Sequence, residues 1–322
     1  METCLYLGEA LAAYQFGEGH PFGPLRYGAF VDELQRRGLQ QRVCLQSPLQ
    51  ASEAQLEWFH THDYVMRVKR QSASGEGLLD FGDTPAFKGV FEAAATVVGS
   101  VLDALQRIMD GECRNAFVPI AGLHHARRGA AAGFCVFNDC GVAIEALRRE
   151  HGIHRVAYVD IDAHHGDGVY YAFADDPELF IVDFHEDGRY LYPGSGAASE
   201  TGDGVAKGSK LNIPLPPGAD DRMVADLWGA AEAFIRQARP EFIILQCGAD
   251  SLAGDPLTHL AYSAATHRMV AERVGRLAAD QCEGRLLALG GGGYLPGNIA
   301  AAWCEVVEAL LGGEVDQAEP RR

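Results

Sequence analysis

Between residues 156 and 173 the chain reads VAYVDIDAHHGDGVYYAF, which sets Asp160, Asp162, His164, His165 and Asp167 directly behind a run of strand-forming apolar residues. Ionised groups at the end of a buried strand are costly unless they are paired or bind a metal, so the stretch requires partners. Asp162 and His164 are two positions apart and face the same way in an extended segment, and Asp250 follows another apolar run, EFIILQCGA. Two carboxylates and one imidazole make a three-ligand site with a position left open for water, the pattern of catalytic rather than structural zinc. Iron(II) or cobalt accepts the same mixed oxygen and nitrogen ligands. The plainer alternative, that Asp162 and Asp250 only cap helices, is weighed down by the number of polar groups that converge.

His124 and His125 stand together in AGLHHARRG. Adjacent side chains on an irregular loop point in different directions, so one imidazole can serve the attacking water and the other the substrate oxygen. Each needs its far nitrogen held, and Asp160 and Asp167 are free to do so. His165 is read either as structural or as a support behind the inner residues. Tyr294 follows four glycines in LALGGGGY, where the backbone can approach a ligand closely and bring the phenol to a substrate carbonyl. A phosphate loop is excluded, because no Gly-Lys-Ser/Thr or Gly-x-Gly-x-x-Gly pattern accompanies the glycines. The eight cysteines are scattered without a Cys-x-x-Cys pair, and several lie in apolar runs; buried reduced thiols are expected, not a disulfide framework, a zinc finger or a nucleophile.

These groups need a scaffold. Six apolar stretches read as strands, at 115–122, 155–162, 179–184, 211–215, 241–248 and 285–291, and most are continuous apolar runs, as strands buried on both faces should be. Helical patterns fall at 87–109, 140–150, 221–238, 264–281 and 297–312. The alternation predicts an α/β chain with a mostly parallel sheet, helices on both faces and ligands at the carboxyl ends of the strands. His124 and His125, the 160–167 cluster, His185, Asp250 and Tyr294 all follow such strands. One domain over 1–322 is expected, with 313–322 a frayed tail.

With 322 residues, 48% hydrophobic content and no apolar run of eighteen, the chain reads as a soluble globular protein without a visible secretory leader, expected in the cytoplasm and not at a membrane. A formal net charge of −17 argues against nucleic acid as a partner. It favours a cationic substrate, or serves solubility alone. Oligomeric state is not legible.

The strings GEGHPFGPLR, AGLHHARRGAAAGFCVFND, YVDIDAHHGDGV, LYPGSG, LQCGADSLAGDPL and LGGGGY, in this order, resemble the zinc-dependent histone deacetylase family, in particular its bacterial deacetylase-like and acetoin-utilisation-type members. The resemblance covers roughly residues 14–312 and implies the arginase/deacetylase fold. It implies zinc at Asp162, His164 and Asp250, His125 as general base and acid paired with Asp167, and His124 assisting, paired with Asp160. Tyr294 resembles the carbonyl-polarising tyrosine, Phe134 and Tyr192 the walls of an acyl-lysine tunnel, and Gly133 the residue whose carbonyl meets the substrate amide. Asp83 matches a rim aspartate that holds the substrate backbone, and Arg26 an arginine near an acetate channel.

A potassium ion on backbone carbonyls of 160–164 is a further family feature, although Asp183 stands where several members have serine. Leu257 stands where a polyamine-selective branch has glutamate, which favours acyl-lysine in a protein or peptide over a small acylated amine. The expected reaction is hydrolysis of an N-acetyl amide to free amine and acetate. The alternatives are an amidohydrolase for acetylpolyamines, an arginase-like ureohydrolase, which needs a second metal, and a non-enzymatic metal-dependent binding module.

Overall fold

The structure, a computed structural model, describes residues 2–312, so the expected frayed tail lies outside the described residues. Eight strands form one sheet: β1 (Glu2–Tyr6), β2 (Cys44–Gln46), β3 (Cys113–Val118), β4 (Val156–Asp160), β5 (Leu179–Glu186), β6 (Lys210–Leu215), β7 (Phe242–Gln246) and β8 (Leu286–Leu289). Their order is β2-β1-β3-β8-β7-β4-β5-β6, and every pairing is parallel. Residues of β4, β7 and β8 are buried along their whole length, which explains their unbroken apolar sequences.

All six expected strands form, but four of them stop short of the expected C-terminal limits. The residues beyond, such as Ile161–Asp162 and Cys247–Gly248, leave the ladder to become site loops. β1 and β2 were not anticipated. The five expected helices are present as Val90–Met109, Asp139–His151, Asp221–Ala238, Ala264–Gln281 and Pro296–Gly312, and two more of length, Leu25–Arg36 and His62–Ser74, fill the first third of the chain. No described helix is long and apolar enough to cross a membrane.

The connection β3 to β4 runs across the sheet in one direction and β7 to β8 in the other. Right-handed crossovers therefore put helix Asp139–His151 and helix Ala264–Gln281 on opposite faces. In register, Val118, Leu289, Gln246 and Asp160 form one row, so β3, β8, β7 and β4 end level with one another. The chain direction reverses within this group of four, and an open parallel sheet offers its ligand crevice at such a place.

Candidate active site

The loops after the four central strands carry His124 and His125 (after β3), Asp162 and His164 (after β4), Asp250 (after β7) and Tyr294 (after β8). Asp162, His164 and Asp250 each offer a ligand atom within 4.8 Å of the others, and all three are buried. Asp162 Oδ2 accepts from Gln246 Nε2 at 2.9 Å and from the Gly292 N–H at 2.8 Å, while Asp250 Oδ1 accepts from the Ala163 N–H at 2.9 Å. The remaining atoms face inward: His164 Nδ1 is 3.0 Å from Asp162 Oδ1 and 3.1 Å from Asp250 Oδ2.

Among the described residues no lysine or arginine forms an ion pair with either carboxylate. Burial would depress His164, but Asp162 and Asp250 outweigh it and raise its pKa to about 10, so the pocket favours positive charge at this point. Two buried carboxylates and an imidazole converging without a basic side chain fit a divalent cation. Glycine at 292 is required by closeness: a Cβ there would stand 2.1 Å from Asp250 Oδ2 and 2.8 Å from Asp162 Oδ2.

Beside this cluster, His124 Nδ1 lies 2.8 Å from Asp160 Oδ2 and His125 Nδ1 2.7 Å from Asp167 Oδ1. The two imidazoles meet Nε2 to Nε2 at 3.2 Å. Burial lowers His124, but the Asp160 and Asp162 carboxylates prevail and raise it to about 10; burial and the adjacent His124 lower His125 to about 4. Arg127 Nη2 reaches the other oxygen of Asp167 at 3.3 Å. His165 takes no part, its Nδ1 lying 2.9 Å from Ser195 Oγ. Both oxygens of Asp183 are engaged, by His185 Nδ1 at 2.7 Å and the Gly166 N–H at 2.9 Å.

Aromatic rings line the approach. Tyr192 packs edge-on to His125 with centroids 5.1 Å apart, and Phe134 packs edge-on to Tyr294 at 5.7 Å. Gly133 lies between, where a Cβ would stand 2.5 Å from His125 Cδ2. Burial and the nearby Asp250 and Asp162 push the Tyr294 phenol upward, which keeps it protonated as a donor. A small cavity at the site itself is lined by His124, His125, Asp162, His164 and Tyr294 together with Phe22 and Cys135. Arg26 is buried, donates to the carbonyls of Gly293 and Gly291 and lies 3.7 Å from the ring centroid of Phe22, one of the residues lining the cavity. Asp83 is exposed at the mouth. Leu257 is partly buried on the loop whose Asp255 accepts the N–H groups of both Leu257 and Tyr294.

Several residues that shape the site carried no assignment from sequence. Asn138 Nδ2 donates to the carbonyls of His124 and Ala126, and Asp139 accepts from the N–H groups of Gly122 and Leu123, so the FND segment folds the histidine loop. Tyr158 donates to Asp160 at 2.7 Å. Polar residues inside or just after apolar runs were the available signal.

The histone deacetylase domain family matches residues 20–310. The acetoin utilization protein AcuC of Bacillus subtilis (strain 168) is 38% identical over 315 residues, covering 94% of this chain and 81% of its own length. A probable deacetylase of Archaeoglobus fulgidus is 34% identical over 319 residues, 97% of this chain and 87% of its own. Among solved structures, the crystal structure of the HDA15 HD domain gives a TM-score of 0.88 at 27% identity, over 99% of this chain and 90% of that one. With a family match that spans nearly the whole sheet and relatives that align along most of both chains, the chain belongs to the histone deacetylase family, a family of deacetylases, in which it stands with members of the acetoin-utilisation type.

Proposed function

We propose that the protein hydrolyses the N-acyl amide of acyl-lysine, most simply acetyl-lysine, in a protein or peptide, with zinc held by Asp162, His164 and Asp250. One observation carries the proposal: the three-ligand cluster, two histidine–aspartate pairs and a donor phenol converge on one crevice lined with aromatic rings. A zinc ion bound there polarises the amide carbonyl and lowers the pKa of water to about 7.

The protein's own groups do the rest. His125, oriented by Asp167, takes the proton of the attacking water at Nε2 and delivers a proton to the departing amine nitrogen as the C–N bond breaks. His124, oriented by Asp160, supports the developing negative charge from the side. The Tyr294 phenol donates to the carbonyl oxygen as charge builds on it. Phe134 and Tyr192 enclose the lysine methylenes and exclude water, while the Gly133 carbonyl accepts the substrate amide N–H. Asp83 holds the substrate backbone at the mouth. Arg26, buried next to the Gly291–Gly293 backbone, is assigned to the exit of the released carboxylate.

A small acylated amine is the second reading, favoured by the net charge of −17, which draws any cationic substrate. Hydrolysis of an acetyl-lysine peptide and of acetylputrescine by the zinc-loaded protein, with Asp250→Ala as control, separates the two. Metal-dependent preference for the peptide is expected; preference for acetylputrescine overturns the lysine assignment and the weight given to Leu257.

A further inference from the structure

Asp83 sits on an exposed turn, yet its backbone is fastened on every side. Asp80 Oδ1 accepts from the N–H groups of Gly82 and Thr84 at 3.0 Å each, and Asp80 Oδ2 accepts from the Thr84 hydroxyl at 2.6 Å. Thr84 Oγ1 in turn accepts from the Phe134 N–H at 3.1 Å, which ties the turn to the tunnel wall. Phe134 itself has φ +65, a conformation unfavourable for a bulky residue, and Tyr14 holds its carbonyl at 2.7 Å.

The second tie is His20. Its Nδ1 accepts from the Phe22 N–H at 3.0 Å, which leaves Nε2 as the protonated nitrogen of the neutral ring, 2.9 Å from the Asp83 carbonyl oxygen. The same ring packs edge-on to Phe134, centroids 4.6 Å apart, and against Phe16 at 4.8 Å. One imidazole thus joins three pieces distant in sequence: the loop before helix Leu25–Arg36, the rim turn and the tunnel wall. The Asp83 carboxylate forms no ion pair among the described residues; burial and the neighbouring Asp80 carboxylate raise its pKa, and its exposed side is left for a ligand.

We propose that His20 is a positioning residue for substrate binding: by donating to the Asp83 carbonyl it fixes the rim turn so that the Asp83 carboxylate meets the N–H groups of a peptide backbone. The inference rests on the reading of Asp83 under Proposed function. Its energetic basis is pre-organisation, since a turn held in its binding conformation loses less entropy on association than a free one. A small acylated amine has no flanking backbone and gains nothing from the latch.

The test separates the hydrogen bond from the ring packing. His20→Phe keeps an aromatic edge against Phe134 and removes the donor; His20→Gln keeps an N–H donor and loses the ring. His20→Phe is expected to raise KM for an acetyl-lysine peptide about tenfold with kcat within about twofold, as loss of one positioned hydrogen bond would. KM for acetylputrescine is expected to move far less, and His20→Gln to recover part of the peptide KM. Asp83→Ala is expected to raise the peptide KM at least as much, and the double variant His20→Phe/Asp83→Ala to be no worse than Asp83→Ala alone, because both act through one contact.

If Asp83→Ala raises the peptide KM while His20→Phe leaves it unchanged, or if the two effects add, the latch is overturned and the reading of Asp83 stands. If Asp83→Ala leaves the peptide KM unchanged, both fall. Thermal unfolding of each variant guards against a loss of folding being taken for a loss of binding.

Discussion

His124 and His125, neighbours in sequence, present their Nε2 atoms to one another at 3.2 Å while their Nδ1 atoms are held by different aspartates, Asp160 at 2.8 Å and Asp167 at 2.7 Å. Two ring nitrogens at that distance cannot both carry a proton toward one another. The Asp160 and Asp162 carboxylates raise the proton affinity of His124, while burial and the adjacent His124 lower that of His125, which is thereby the one of the two left neutral. The pair is therefore unequal by environment, although the residues are identical.

That inequality predicts unequal variants. His125→Ala is expected to lower kcat by a factor between about a hundred and ten thousand, the range for loss of a general base, and His124→Ala by clearly less. Steady-state kinetics on one acetyl-lysine peptide decide it. A greater loss at His124 would reverse the two roles.

Tyr294→Phe removes one hydroxyl from a ring already packed on Phe134. The expected cost is about a hundredfold to a thousandfold in kcat with little change in thermal stability, the magnitude found for one oxyanion donor. Full activity in this variant would remove the phenol from the reaction.

Zinc should stabilise the folded chain, because the unfolded chain has no preformed cluster. At a thousand times Kd the gain is about 4 kcal/mol, read as a rise in Tm on adding zinc to chelator-treated protein. Asp162→Asn is expected to abolish most of the rise, together with bound metal measured by elemental analysis. An unchanged shift in that variant would move the site elsewhere.

Gly292→Ala places a methyl group 2.1 Å from Asp250 Oδ2, closer than any side chain tolerates. The loop or the carboxylate must shift, so zinc affinity is expected to fall while the far-ultraviolet dichroism of the sheet and helices is retained. Calorimetric titration with zinc would show it; native affinity would contradict the close approach.

His60 predicts a pH dependence of stability away from the metal cluster. It is buried, its Nε2 accepts from the Asn138 N–H at 2.9 Å and its Nδ1 donates to the Arg128 carbonyl at 3.3 Å, and burial lowers its pKa to about 3. The unfolded histidine titrates near 6.5 and so binds a proton that the folded one refuses. Its contribution is therefore complete above about pH 6.5 and is lost as pH falls toward 3, by about 1.4 kcal/mol per pH unit. Chemical unfolding of the wild type and His60→Gln at pH 7 and pH 5 is expected to show a shallower decline in the variant; parallel declines would mean that His60 is charged in the folded state.

Much of the scaffold was legible because buried parallel strands announce themselves: VAYVD, FIILQ and LLAL are apolar at every or nearly every position. The first third was not. β2 has three residues, none fully buried, too few to display a period. Helix Leu25–Arg36 buries only Arg26, Phe30 and Leu34, and helix His62–Ser74 only Tyr64, Val65, Val68 and Ser72, stripes too sparse to stand out from a polar background.

The sequence by itself determined the alternation of strand and helix, and with it the edge on which the polar residues lie, because a two-faced buried strand must end in a loop before it can carry charge. It also determined the kinds of ligand: carboxylates, imidazoles and one phenol behind four glycines. The histidine–aspartate pairs and the three-ligand cluster followed from the family resemblance, but only the tertiary structure decided their distances and the supporting contacts. His164 meets Asp250 from 86 positions away, His20 meets the Asp83 carbonyl from 63, and Gln246 holds Asp162 from 84. Such contacts depend on strand order and on the backbone course of irregular loops, and neither has a period that can be read along a chain.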